Sequence, residues 1–337
     1  MPSNKAAYLT AEKTTLEVKP APYPELKENG VIVRTRAVAL NPVDWAQQAL
    51  GPEVFTWLKF PAILGYDVAG EVVDVGSDIT RFKVGDRVAG HATGCYQEFV
   101  LVEEHCASIL PAAISFEQAA VLPLCLGVAA KTLFHPEYLA LEPPCLNPKP
   151  TGKTVLVWGG STSVGCNAIQ LAKAAGYEVI TTASPANFEY VKKLGASHVF
   201  DYNSSTVKDD LVAAVKGKTV AGTIANGGFI SEQFPAIVEA CAAVALSSPE
   251  NCKLIPLTMV PRFPLPGGVE TKFVDVWQGD KDLASSIFNR YLPGALEDGS
   301  FVPAPPPQVV GHGLESVQKA IDLLQKGVSA KKIVVTF

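Results

Sequence analysis

The stretch VLVWGGSTSVG, residues 155–165, constrains the chain more than any other. A short apolar strand is followed at once by Gly159, Gly160 and Gly165, and then by CNAIQLAKAAG, which reads as a helix closed by Gly176. EVITTA (178–183) reads as the next strand and ANFEYVKKLGA (186–196) as the next helix. Apolar strands joined by helices of this length need crossover connections, so the segment is expected to form a parallel, doubly wound sheet. Residues 196–200, 220–224 and 242–246 are expected to continue it.

Glycines let a backbone pass close to a pyrophosphate, and the free amides and positive dipole end of a helix hold negative charge. The spacing departs from a strict G-x-G-x-x-G, and the strand and helix around it carry the reading. Gly160, Ser161, Thr162, Ser163 and Val164 are therefore expected to border the phosphates of a pyridine dinucleotide. In such a sheet an acidic residue at the end of the second strand binds the ribose hydroxyls of NAD. This chain reads ITTASPAN there, with no carboxylate to repel a ribose phosphate. Ser184, Asn187 and Tyr202 are expected to donate to that phosphate, favouring NADP(H) over NAD(H). The alternative is that Ser184 and Asn187 only cap the following helix.

The N-terminal part differs in pattern. Val31, Val33 and Thr35 alternate as a strand does, and further short strands read at 68–75, 87–89 and 98–102 among Gly70, Gly76, Gly85, Gly90 and Gly94, the pattern of a small irregular barrel. Proline and glycine crowd LEPPCLNPKPTGK (141–153), marking a connection before the nucleotide segment. PRFPLPGG (261–268) is a second cluster of breakers, and residues 303–307 read as an extended surface loop. Leu314, Val317, Ala320, Ile321 and Leu324 recur at helical spacing before Gly327, and residues 333–335 form a last strand.

Length and charge narrow the class. At 337 residues the chain has room for two domains, and its formal net charge of −5 supplies no basic field for a nucleic-acid backbone or an anionic membrane. The longest uncharged apolar stretch, 118–130, is broken by Pro123 and falls short of the roughly 18 residues a spanning helix needs. The start has no signal-like apolar core and the end no sorting tag, so a cytoplasmic protein is expected. The seven cysteines are scattered and never spaced C-x-x-C, as in a chain of reduced thiols.

Four segments in fixed order, ALNPVDW (39–45), FPAILGYDVAGEV (60–72), KVGDRV (83–88) and the glycine turn, together with the closing 313–335, resemble the medium-chain dehydrogenase/reductase superfamily. Within it the chain is most similar to the zinc-independent quinone and enoyl reductases, and there to fungal enoyl reductase-like proteins that act in trans with polyketide synthases. The resemblance implies an α/β architecture: a GroES-like β-barrel catalytic domain over 1–125, a Rossmann NADP-binding domain over 126–265, and a return segment, 266–337, completing the first, with an active-site cleft between the two. Zinc-dependent relatives carry a Cys at the position of Asn41, a His-Glu pair at Tyr66-Asp67 and a Cys near Leu126. Cys125 alone cannot supply the three protein ligands of a catalytic zinc, and no two of the five histidines share a helix face at ligand spacing, so no zinc is expected.

The implied reaction is hydride transfer from NADPH to the β-carbon of an enone, enoyl thioester or quinone, with the enolate stabilised electrostatically. The substrate is a small α,β-unsaturated carbonyl compound or a carrier-bound enoyl group, with a polyketide synthase as possible partner and neither nucleic acid nor membrane. Asn41, Asp44 and Trp45 are expected beside the nicotinamide, while Leu124, Cys125, Leu126, Gly127 and Val128 line the substrate cleft. Asp44 as a loop anchor and Trp45 as a core aromatic are equally open. Relatives often follow NP-x-D-W with a lysine, where this chain has Ala46; no proton donor is assigned, and Tyr66, Lys131 and water remain open. Ala46 also keeps a second function in view, a catalytically silent nucleotide-binding structural or regulatory protein of the same fold. Lys331 and Lys332 either reach the cofactor or face solvent.

Overall fold

In a computed structural model, residues 2–227, 232–248, 254–259, 263–264, 266–274 and 280–337 are described; residues 261, 262 and 265 of the proline-rich cluster lie outside them. Contacts group the chain into two units, Met1–Leu124 with Ala284–Phe337, and Cys125–Leu283.

The first unit opens with strands β1 (Asn4–Leu9), β2 (Glu17–Ala21) and β3 (Gly30–Ala39) and helix α1 (Pro42–Val54), which kinks at Gly51. Strands β4 (Ala62–Ile63), β5 (Asp67–Val75), β6 (Arg87–His91), β7 (Phe99–Glu103) and β8 (Ala107–Ile109) follow, then helix α2 (Phe116–Ala120); helix α3 (Pro123–Phe134) begins at the end of this unit and continues into the second. β3 is the axis of this unit. It pairs with β5 over nearly its whole length, with β7 from Gly30 to Arg34, and with the last strand of the chain from Ala37 to Ala39. Val31, Ile32 and Val33 are all fully buried, so β3 is covered on both faces as a strand inside a barrel-like sheet must be.

The second unit alternates β9 (Lys153–Val157), α4 (Ser163–Ala174), β10 (Glu178–Ala183), α5 (Phe188–Leu194), β11 (His198–Asp201), α6 (Val207–Ala214), β12 (Thr219–Ile224) and α7 (Phe234–Leu246), then β13 (Leu254–Leu257) and β14 (Glu270–Phe273). β11, β10, β9 and β12 lie side by side, all parallel, and a parallel bridge from Ala225 to Leu257 joins them to the β13–β14 pair. The strand order is thus that of a doubly wound dinucleotide-binding sheet, with its reversal at β9, where the carboxyl edge opens a crevice.

Residues 242–246, expected as a strand, form instead the end of α7. Periodicity cannot separate a short apolar run from a buried helix, and the alanines of EACAAVAL favour the helix; the next strand is β13. Part of 303–307 also departs from a surface loop, since Ala304 is buried.

The chain continues with α8 (Lys281–Ala284), a π-helical stretch over Ser285–Tyr291, α9 (Leu292–Glu297), β15 (Pro307–His312), α10 (Val317–Gln325) and β16 (Lys332–Thr336), and from Ala284 onward it groups with the first unit. β16 pairs antiparallel with β3 and so brings the end of the chain to the core of the first unit.

Phe234 is fully buried in the cluster that α7 forms with β9, β10, β12 and β13, its ring edge-on to Phe263 at 6.0 Å. Phe234→Ala should lower the unfolding free energy by about 3–5 kcal/mol, read as a shift of the urea midpoint.

Candidate functional site

At the crevice of the second unit the turn after β9 is built by side chains from two neighbouring strands. Thr182, in β10, accepts the Gly159 N–H with its hydroxyl at 3.0 Å and the Gly160 N–H with its carbonyl at 2.8 Å. Asn226, just after β12, donates to the Thr162 hydroxyl, and its own carbonyl oxygen accepts from Thr258 at 3.1 Å. Thr162 accepts the Gly165 N–H at 3.0 Å as the N-cap of α4. Space at the turn is closed to larger residues: a Cβ on Gly160 would lie 2.2 Å from Thr181 Oγ1, and one on Gly165 would lie 2.2 Å from the Gly159 carbonyl.

These bonds divide the residues expected at the phosphates into two groups. Gly160 spends its N–H on β10 and Thr162 spends its own inside the turn. Ser161, Ser163 and Val164 do not: among the described residues no acceptor meets their backbone N–H groups. Three open amides at the start of a helix of 12 residues, with its dipole behind them, form a cradle for an anion. The residues present fit the diphosphate of a dinucleotide.

Beyond the tip of β10, Asn187 donates to the Ser184 hydroxyl at 3.0 Å, and neither side chain caps the helix it precedes. Tyr202 is exposed, after β11. No carboxylate stands in the segment 180–187.

The first unit contains a buried polar centre that runs from the chain's last strand to its third. Lys332, only 3% exposed, places its ammonium 3.2 Å from Asp67 Oδ2 and also donates to Asn41 Oδ1. Asn41 in turn donates to Asp67 Oδ2 at 2.8 Å, while Asp67 Oδ1 accepts the Leu124 N–H at 2.6 Å, in the first turn of α3. Lys332 therefore neither faces solvent nor is unengaged, whereas Lys331 is exposed. Asn41 and Asp44 hold one another at the start of α1: Asp44 Oδ2 accepts the Asn41 N–H at 2.7 Å. Trp45 is half-buried, Ala46 fully buried. Leu124, Cys125, Leu126 and Gly127 are buried along the start of α3, and Val128 half-buried. Lys131 lies over the Tyr138 ring at 5.9 Å.

Burial raises the Asp44 carboxyl to about 7, against the opposing pull of the Asn41 N–H and the nearby Tyr96 hydroxyl. Burial likewise pushes the Cys95 thiol and the Tyr96 phenol well up, and holds His91 below the usual histidine range, so all three are neutral. Tyr66 accepts from Gln47 Nε2 at 2.7 Å and stacks on His91, whose Nδ1 meets the Tyr66 carbonyl at 3.1 Å.

The positions at which zinc-dependent relatives carry metal ligands hold, in this chain, a carboxamide, a phenol, a carboxylate and leucine, and Lys332 already supplies the local positive charge. That donor set does not fit a zinc ion, which takes thiolates, imidazoles and carboxylates. Among the described residues no three His, Cys, Asp or Glu side chains are arranged to hold a metal.

Sequence reasoning did not find Thr182, Asn226 or Thr258, which shape the cradle from three strand ends far apart in the chain, nor Gln47. Polar residues closing apolar strands, ITT and TIAN, were the available signal.

Removing the ammonium from beside a fully buried carboxylate leaves an uncompensated charge, so Lys332→Met should cost about 3–5 kcal/mol of stability in urea denaturation. Adding Asp67→Asn to that variant should restore part of the loss. Asp44 has the opposite polarity of linkage. Its folded value of about 7 exceeds the unfolded value of about 3.9, so the folded protein holds the proton longer, and stability falls as pH rises from about 4 to about 7. Asp44→Asn should gain stability relative to the parent across that interval and show a constant difference above it, read from urea midpoints at several pH values.

An alcohol dehydrogenase GroES-like domain profile matches residues 27–142, and a zinc-binding dehydrogenase profile residues 163–244. Dehydrogenase azaJ of Aspergillus niger is 48% identical over 100% of this chain and 99% of its own. Trans-enoyl reductase himH of Aspergillus japonicus is 37% identical over 98% and 97%. Among solved structures, the CurK enoyl reductase superposes with a TM-score of 0.77 at 21% identity over 99% of each chain, and the quinone oxidoreductase of Coxiella burnetii with 0.70 at 24% over 100% of each. With a GroES-like unit, a Rossmann-type unit and relatives that align from end to end, the chain belongs to the medium-chain dehydrogenase/reductase superfamily of oxidoreductases, in its enoyl-reductase-like branch.

Proposed function

We propose that the protein is a zinc-independent, NADP(H)-dependent reductase of conjugated carbonyl compounds: an enone, an enoyl thioester or a quinone. The observation that carries this reading is the cradle of three unspent amides at Ser161, Ser163 and Val164, followed by a ribose side with no carboxylate. An acidic residue at that strand end would select NAD; its absence, with hydroxyl and amide donors in place, favours the 2′-phosphate. Ser161, Ser163 and Val164 hold the diphosphate, while Ser184, Asn187 and Tyr202 meet the ribose phosphate. When bound, the cofactor supplies the hydride.

Names of relatives support the electron acceptor. Trans-enoyl reductase himH aligns along nearly its whole length, and a second trans-enoyl reductase, tndF of Aspergillus flavipes, is 33% identical over 98% of both chains. We therefore assign a carrier-bound or free α,β-unsaturated carbonyl substrate, with a polyketide synthase as the partner presenting it in the cytoplasm. The carboxamide and ammonium of Asn41 and Lys332 leave no part for a metal in this scheme. Ala46, fully buried where relatives often have lysine, favours one competing reading, a nucleotide-binding protein without turnover.

Calorimetry with NADPH and NADH should show NADPH bound more tightly by about tenfold or more, and Ser184→Asp should erase the difference by repelling the phosphate. Equal affinities in the parent would refute the cofactor assignment. NADPH oxidation against enones, quinones and enoyl thioesters should show turnover with at least one class; tight cofactor binding with none of them would instead establish the silent protein.

A further inference from the structure

Tyr66 stands immediately before β5, and its surroundings are arranged unlike those of an ordinary core tyrosine. Its oxygen accepts the Gln47 Nε2–H at 2.7 Å, and the Trp57 side chain lies beside it. The phenol also has its own hydrogen to give, and the Gln47 carboxamide can meet its oxygen with only one group at a time, the nitrogen or the oxygen. Gln47 is 1% exposed and its Oε1 has no partner. In either orientation of the carboxamide a polar group of this pair lacks a partner, a costly arrangement in a folded interior unless a ligand completes it.

Two further features prepare the phenol for such a ligand. The His91 ring lies nearly parallel to it, 14° between planes and 6.0 Å between centroids, which fixes its orientation. Trp57, edge-on to Phe55, is 64% exposed, so a broad aromatic face open to solvent adjoins a phenol that is itself 9% exposed.

We propose that Tyr66 receives the carbonyl oxygen of the unsaturated substrate, with Gln47 as the residue that positions the phenol and Trp57 as the apolar wall beside the conjugated chain. The assignment rests on the reductase reading above. In that reaction a C–H bond of the dihydronicotinamide breaks, a C–H bond forms at the β-carbon, and the π pair moves to the carbonyl oxygen. The Tyr66 O–H meets that oxygen as it gains charge, a hydrogen bond stronger in the transition state than in the ground state. The α-carbon then takes a proton from water, leaving hydroxide to the buffer, and the phenol keeps its own proton throughout. Burial suits it to this part, since it raises Tyr66 to about 12 and the group remains an O–H at neutral pH.

The test uses 2-cyclohexen-1-one with the full chain, in two measurements. In infrared difference spectra of the bound ketone, the parent should show the carbonyl stretch displaced to lower frequency than in an apolar solvent, Tyr66→Phe should abolish the displacement, and Gln47→Leu should reduce it. In steady-state assays with NADPH, Y66F should lower kcat by about 10²-fold with a much smaller change in KM, and NADPH affinity should be unchanged. A parent spectrum without displacement, or a displacement and kcat retained in Y66F, overturns the assignment. A Tyr66-dependent displacement in a protein that turns over no enone upholds the carbonyl site and removes the reductase reading instead.

Discussion

The contact between the Lys332 ammonium and the Asp67 carboxylate organises the first unit. Both groups are withdrawn from water, and neither would be tolerated there alone. Their pairing ties β16, at the end of the chain, to β5, and through Asn41 it reaches the start of α1. Asp67 spends its second oxygen on the backbone of Leu124, so one carboxylate also fixes where α3 begins. A polar centre this connected rigidifies its neighbourhood because every partner is supplied by a different element and none can move without stranding another. The same ammonium places a positive charge among the positions at which zinc-dependent relatives carry metal ligands.

The second unit solves a different problem, that of leaving amides deliberately unsatisfied. Thr182 takes up the N–H groups of Gly159 and Gly160, Asn226 donates to the Thr162 hydroxyl, and Thr162 caps α4. What remains open is a set of three N–H groups at a helix start. Gly160 and Gly165 make that possible by allowing backbone and side-chain atoms to approach where a Cβ would collide. The parallel sheet matters here because only its strand order brings the ends of β9, β10 and β12 to one edge.

Much of this was legible beforehand. The alternation of apolar strands with helices closed by glycine has few architectural solutions, so the α/β class and the doubly wound sheet could be read from residues 153–224. Where the reading erred, at 242–246, hydrophobicity was uniform and carried no period, and helix length settled the matter. Within the cradle, sequence located the segment and could not divide it into residues that build the turn and residues that leave donors open. That division depends on Thr182 and Asn226, whose hydroxyl and amide look like any other polar strand ending until the sheet aligns them.

Local chemistry, then, was written in the sequence: glycines at a turn, a missing carboxylate after β10, and a motif order shared with the medium-chain dehydrogenases. Those properties depend on near neighbours along the chain, where covalent geometry and helix or strand period limit the choices. The pairing of Lys332 with Asp67, 265 positions apart by their numbering, and the placing of Gln47 against Tyr66 were decided only by tertiary structure. Such contacts follow from how β16, β5 and α1 pack around β3, and no spacing rule carries that information, because the energy that selects them, desolvation of several groups at once, exists only after the elements have come together.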